Sequence, residues 1–263
     1  RCRCDTGPAD ADADADAPAA GLLAELEPIP EPELAGLPEI ASEQITAQRE
    51  VLADLGDGAS AAELAAAYGR LGELYHAYAL TRPALVAYRN AGALVPEEAR
   101  WTYLTALAHQ REGRIPEAKA AYARALEQKP GDRATQLHLA EMHMALGEVD
   151  AAEALYSQVL ADDPSHTAGI FGRGRVAEAR GELEAAAEDY EAALLAQPGA
   201  KNLHSLLASL YRRLDDMDAA QRHLDDFGGG TVVFDDPVAD SMRSLVGGIG
   251  PMLDSALEAY VDK

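Results

Sequence analysis

The stretch from Arg133 to His166, RATQLHLAEMHMALGEVDAAEALYSQVLADDPSH, carries the pattern that decides the fold. It places Ala152 twelve residues, and Tyr156 eight residues, before Pro164. The same three columns recur on either side: alanine at Ala84, Ala118 and Ala186, tyrosine at Tyr88, Tyr122 and Tyr190, proline at Pro96, Pro130 and Pro198. Each column therefore steps by 34 residues. Ala220 continues the first column, with Leu224 in place of the aromatic. A fixed period of this length marks a chain built from stacked supersecondary units. The units run 65–98, 99–132, 133–166 and 167–200, with a weaker fifth at 201–227.

Each column has a physical reason. Alanine lets two helices approach where they cross, and the aromatic fills the wedge that this approach leaves. Proline ends the second helix of a unit because it has no N–H to donate. Inside the units, Glu112-Gly113, Leu146-Gly147-Glu148, Arg180-Gly181-Glu182 and Leu214-Asp215-Asp216 predict helix C-caps followed by tight reversals. Ala151, Ala154, Leu155, Val159 and Leu160 recur at helical spacing, a stripe that only neighbouring units can cover. With 48% hydrophobic and 5% aromatic residues among 263, the chain suits a long, thin core of stacked helices. Strand signals are almost absent, and the run Thr231-Val232-Val233-Phe234 reads as a connector.

The pattern resembles the tetratricopeptide repeat, over roughly residues 65–227, and Tyr68, Leu71, Gly72, Tyr75, Ala84, Tyr88, Ala91 and Pro96 give its fullest unit. Later units depart from it: Ala140 and Ala208 stand where Gly72 does, and His109 and His143 where Tyr75 does. The resemblance implies an all-α fold, a right-handed superhelix of antiparallel helix pairs. It also implies a non-enzymatic scaffold whose first helices line a concave groove for a partner protein or peptide. The family's groove positions fall on Glu73 and His76, then on Arg100, Tyr103, Leu107, Gln110 and Arg111, then on Leu137, Glu141 and Met144. They continue through Phe171, Arg175 and Glu178 to Asn202, Ser205, Ser209, Arg212 and Arg213. Arginines gathered on one inner surface would grip carboxylates bidentately, or they pair with neighbouring Glu and Asp along the array. On the first of these readings, reversing Arg100 and Arg175 to Glu abolishes partner capture without changing helix content. The two-lysine, two-asparagine groove with which chaperone-binding members hold a terminal carboxylate is not reproduced.

A formal charge of −23 with no basic cluster argues against nucleic acid as a partner. No catalytic constellation emerges, and neither a cofactor nor a metal is expected. His138 and His143, five residues apart, do not share one helical face, and His109 and His143 sit in a packing column. Gly172 and Gly174 mimic part of a phosphate loop but lack its preceding strand and its Gly-Lys-Ser/Thr ending, so a helix crossing explains them better. The alternative function is a recruiting or regulatory portion of a larger enzyme cut at Lys263.

The flanks differ from the array. Residues 1–20 hold an acidic Ala/Asp tract expected to act as a disordered tether, and 21–38 a proline-rich extended segment. Residues 39–64 are expected to hold a capping helix with apolar positions Ile40, Ile45, Val51, Leu52 and Leu55, followed by a loop. Residues 228–263 read as a linker and C-terminal capping helices, the first N-capped by Asp236 and the last spanning Pro251 to Lys263. Both cysteines, Cys2 and Cys4, lie in the first four residues, which rules out a disulfide framework for the repeats. A cysteine ahead of a flexible acidic tether suggests a lipid anchor near the N-terminus and a bacterial cell envelope or periplasmic location, the alternative being cytoplasmic. No run of about 20 apolar residues is present.

Overall fold

Helix boundaries follow the repeat register closely. The computed structural model describes residues 25–245, so Cys2, Cys4, the Ala/Asp tract and the helix expected from Pro251 lie outside the described residues. Five helix–turn–helix units occupy the array: α2 (Ala61–Ala77) with α3 (Thr81–Leu94), α4 (Ala99–Arg111) with α5 (Ile115–Gln128), and α6 (Arg133–Ala145) with α7 (Val149–Asp162). The last two are α8 (Thr167–Arg180) with α9 (Leu183–Ala196), and α10 (Leu203–Arg213) with α11 (Met217–Asp225). Helix α1 (Glu39–Asp54) precedes them and α12 (Pro237–Ser244) follows. No β-strand occurs among the described residues.

Second helices end where the prolines require. Val95, Lys129 and Gln197 cap α3, α5 and α9 with φ between −134° and −129° and ψ near 80°, and Asp163 caps α7 at −142°, 91°. This is the extended conformation that a following proline imposes. Each cap still donates its N–H to the carbonyl four residues back, on Ala91, Ala125, Ala193 and Val159.

The turn inside each unit is equally uniform. Leu80, Arg114, Glu148, Glu182 and Asp216 donate their N–H to the carbonyls of Tyr75, His109, His143, Ala177 and Tyr211, five residues earlier, at 2.7–3.0 Å. Such a bond closes only if the intervening residue takes a positive φ, as Gly113 (68°), Gly147 (73°) and Gly181 (81°) do without a Cβ penalty. In the first and fifth units Ala79 and Asp215 adopt φ of 60° in the same place.

The described residues form two units by contact: 25–108 together with 238–245, and His109–Pro237. In the first, α1 packs on α2 and α2 on α3. Ala41 and Ile45 of α1 are fully buried, and Leu52 and Leu55 pack against the same cluster. Ile40 and Val51, expected on that stripe, are instead 46% and 51% exposed. The face that docks runs Ala41, Ile45, Gln48, Leu52 and Leu55, and residues 40 and 51 lie a position off it, about 100° around the helix. Gln48 joins the face by donating Nε2 to the Ala67 carbonyl at 3.2 Å. The described part of the proline-rich segment, from residue 25, turns at 35–37 and is held by Asn90 of α3. That side chain accepts the Glu27 N–H at 2.9 Å and donates to the Glu27 carbonyl at 2.8 Å.

In His109–Pro237, α6, α8 and α10 alternate with α5, α7, α9 and α11, each packed on its neighbour in sequence. The alanine and tyrosine columns form the core throughout: Ala84, Ala118, Ala152, Ala186 and Ala220 are at most 1% exposed, and the four tyrosines at most 2%. Gly172 and Gly174 seat tyrosine rings, since a Cβ there would stand 2.2 Å from Tyr156 and 2.8 Å from Tyr190. Close helix packing therefore accounts for the pair that mimics a phosphate loop.

Candidate partner-binding face

A tyrosine buried in a helix wedge brings a hydroxyl that must find a partner. Burial pushes the phenols of Tyr88, Tyr122, Tyr156 and Tyr190 well up, so each stays protonated and donates. Twelve residues earlier, on the first helix of the same unit, stands the partner: His76 Nδ1 lies 3.4 Å from Tyr88, Gln110 accepts from Tyr122 at 2.5 Å and Glu178 from Tyr190 at 2.9 Å. In the third unit this position is Met144, which cannot serve, and Glu141 one turn earlier accepts from Tyr156 at 2.6 Å. Several residues expected to face a partner thus also anchor the core.

Three of the candidate arginines, Arg100, Arg175 and Arg213, are paired with carboxylates. Arg100 donates Nε and Nη2 to Glu73 at 3.1 and 2.5 Å, and Glu73 is only 4% exposed. Arg175 pairs with Glu141, one unit earlier, and Arg213 with Glu178 at 3.1 Å, 35 residues back. Pairing with neighbours, the second of the two readings of these arginines, is therefore what the geometry contains. The guanidiniums also stand over aromatic rings, Arg100 at 5.7 Å from Trp101 and Arg175 at 5.8 Å from Phe171. Reversing Arg100 alone would set two carboxylates against each other at a buried site, so unchanged helix content does not follow from that substitution.

The groove candidates differ in exposure. Tyr103 and Leu137, 4% and 2% exposed, are taken up by the protein's own packing. Ser205, Ser209, Arg111, Arg212 and Arg213 are exposed at the surface, while Phe171, Arg175, Glu178 and Asn202 are half-buried. His143, expected to pack, places Nδ1 2.5 Å from Glu148, which also holds Lys119 at 2.7 Å. The two bonds, Lys119 first, lower the Glu148 carboxyl below its usual range.

Sequence reasoning read the segment after α11 as a connector and missed its packing on the repeats. From Gly230 to Asp236 the chain runs without regular secondary structure along the α6–α10 repeats. Asn202 donates its backbone N–H to the Gly230 carbonyl at 3.0 Å. Gln197 brackets Val233, accepting its N–H at 2.9 Å and donating to its carbonyl at 2.6 Å. Val232 packs on Ala193, Ala200 and Leu203 beside Phe171. Phe234 meets His138 edge-on at 5.2 Å, and Asp236, 5% exposed, lies 3.2 Å from His138 Nε2. Asp236 stands immediately before α12, the cap position expected of it, and its carboxylate also reaches that histidine.

In the N-terminal unit a cleft between the proline-rich segment, α1 and α2 is lined by Ile29, Arg49, Leu52, Tyr68, Leu71 and Tyr75 among others. Arg49 pairs with Glu31 at 3.1 Å at this cleft. No group of three or more His, Cys, Asp or Glu side chains is placed to hold a metal ion among the described residues. No helix there is long and apolar enough to cross a membrane.

Comparison with known proteins agrees with this geometry. One family model, described as tetratricopeptide repeat, matches residues 109–169, and a second of the same description matches 81–132 and 171–226. Among solved structures, MamA from Desulfovibrio magneticus RS-1 is 17% identical, with a TM-score of 0.58 over 68% of this chain and 96% of that one. YrrB, described as a TPR protein with an unusual peptide-binding site, is 18% identical, with a TM-score of 0.55 over 82% of this chain and 98% of its own. The APC/C hetero-tetramer Cut9–Hcn1 is 21% identical, with a TM-score of 0.55 over 70% of this chain and 36% of that chain. A comparison with curated proteins found no match. At these identities the solved structures speak for the fold, an α-solenoid of helix pairs, and together with the matched family models they make the chain a tetratricopeptide repeat protein.

Proposed function

We propose that the protein is a non-enzymatic scaffold that binds a partner protein or peptide on the first-helix side of its repeats. The observation that carries this reading is the ladder of ion pairs between consecutive first helices, Glu141 with Arg175 and Glu178 with Arg213. Its members are between 28% and 46% exposed, so each presents fixed polar groups to solvent while bracing its neighbour. Pre-ordered charge pairs cost a partner little side-chain entropy and give orientation more than raw affinity. Exposed Arg212, Ser205 and Ser209 extend the face at the fifth unit. The proposed groove residues of the His109–Pro237 unit are Arg111, Glu141, Phe171, Arg175, Glu178, Asn202 and Arg212; those proposed in the N-terminal unit are Arg100 and Tyr103, the latter reached only if its cover moves.

The test exchanges charges rather than removing them. Glu141→Arg with Arg175→Glu keeps an ion pair and reverses the sign order that a partner meets. Affinity capture with the intact and the exchanged chain, followed by mass spectrometry, should lose one or more proteins from the exchanged bait at equal helix content. Identical capture by both would refute the assignment of this face.

A further inference from the structure

We propose that the surface of the His109–Pro237 unit that seats Gly230–Asp236 is a docking site for an extended partner peptide of pattern aliphatic–x–aromatic–x–acidic, held closed by the chain's own segment as an intramolecular competitor. The inference rests on the scaffold reading and names its ligand class and its regulation. The segment sits as a bound peptide does. Its exposure alternates residue by residue: Val232, Phe234 and Asp236 turn inward, and Thr231, Val233 and Asp235 turn to solvent. That is the period of an extended strand with one face on a surface.

Recognition divides into two parts. The Gln197 carboxamide and the Asn202 N–H bind only the main chain of Val233 and Gly230, and so accept any extended sequence. Selection comes from the inward side chains: the apolar floor under Val232, the imidazole packed against Phe234 and the same imidazole beside the Asp236 carboxylate.

The segment lies outside the repeat helices. It contributes no helix to the five units, and Val233 at its centre is 64% exposed. Its entry depends on Gly230, whose φ is 99° and whose Cβ, if present, would lie 2.1 Å from the Gly199 carbonyl oxygen. A side chain there cannot be accommodated without moving backbone.

The experiment uses the full chain and a fluorescent peptide of sequence GTVVFDD, corresponding to residues 230–236. Two independent opened variants are compared with the intact protein by anisotropy: Gly230→Val, and Val232→Asp with Phe234→Ser. Both should bind the peptide at least about tenfold more tightly than the intact chain, because the intact site is free less than about a tenth of the time. Adding Gln197→Ala to either should remove that gain, and circular dichroism should show unchanged helix. Equal affinity for intact and opened chains, or no binding to opened chains of full helix content, overturns the proposal. So does an opened chain that dimerises without binding the peptide, which would make the surface a contact between copies. Peptide failure with partner capture retained removes this inference alone. Peptide binding with identical capture by the intact and charge-exchanged chains removes the assignment of the first-helix face instead.

Discussion

Two glycine-to-alanine substitutions, both inside helices, should have opposite signs. Gly92 lies in α3, where a new Cβ would meet only the Trp101 Cβ, at 3.9 Å, an ordinary contact. Alanine there gains the helix-propensity difference of about 1 kcal/mol with nothing to oppose it. Gly172 lies in α8, where the same Cβ would stand 2.2–2.4 Å from three atoms of the Tyr156 ring. Relief needs a shift of more than about 1 Å to reach ordinary contact, and the ring cannot supply it. Tyr156 is 2% exposed, its hydroxyl is bonded to Glu141 at 2.6 Å, and Glu141 is held in turn by Arg175. Helices α7 and α8 must therefore separate, at an overpacking cost of roughly 1–3 kcal/mol toward the upper end, so that the net loss after propensity is about 1–2 kcal/mol. Urea unfolding followed by circular dichroism would read the two midpoints on either side of the parent. A Gly172→Ala midpoint at or above that of the parent would refute the packing assigned to the tyrosine column.

Further expectations concern the same framework. Ala79→Gly should stabilise the first unit by about 0.5–1 kcal/mol, because alanine at φ 60° bears a Cβ penalty that Gly113, Gly147 and Gly181 avoid in the equivalent turns; an unchanged or lower midpoint would contradict this. Ala118→Leu and Ala152→Leu, at fully buried crossings, should each cost roughly 1–3 kcal/mol, and tolerance at both would contradict the register. Acidification should weaken the fold through His166 and His223, whose pKa values are pushed down by burial first, then by Arg133 and His204 respectively. Asp163 and Asp235 oppose the shift at His166, as do Glu191 and Asp226 at His223, where Arg222 adds to the lowering. The unfolded chain takes up these protons near the ordinary value of about 6.5 while the folded chain resists, so stability is full above that pH and falls below it. His166 Nδ1 also accepts the Gly169 N–H at the start of α8, which a proton on that nitrogen would abolish. Urea midpoints on either side of that pH should differ in this direction, and His223→Gln should reduce the difference; a flat profile would contradict it.

The repeat was legible in the sequence because its core positions accept few alternatives. A crossing admits alanine or glycine, a wedge wants an aromatic ring, and a left-handed turn wants glycine, so Ala84, Tyr88 and Gly113 have counterparts one period away. Contacts without a period left no such trace. Asn90 reaches 63 residues back to Glu27, Gln197 reaches 36 forward to Val233, and His138 reaches 98 forward to Asp236. The arginines and the carboxylates Glu141 and Glu178 were among the positions read from the sequence, but which pairs with which was not, since Arg175 and Glu141 sit one unit apart and only the stacking of α6 and α8 brings them together. Glu141 could have been suspected from Met144: a buried tyrosine whose usual partner position holds a thioether needs another acceptor within a turn. The stripe on α1 was read one position too wide because Ile40 and Val51 are apolar without being on the docking face.

Partner binding on the first-helix face is tested most directly by site-specific photocrosslinking. A benzophenone side chain placed at Ser209, exposed on the first helix of the fifth unit, is compared with one at Leu195, 82% exposed on the second helix of the fourth. Capture from lysate under illumination should give a covalent adduct to one partner from Ser209 and none from Leu195. An adduct from Leu195 alone would place the interaction on the opposite helices and contradict the account.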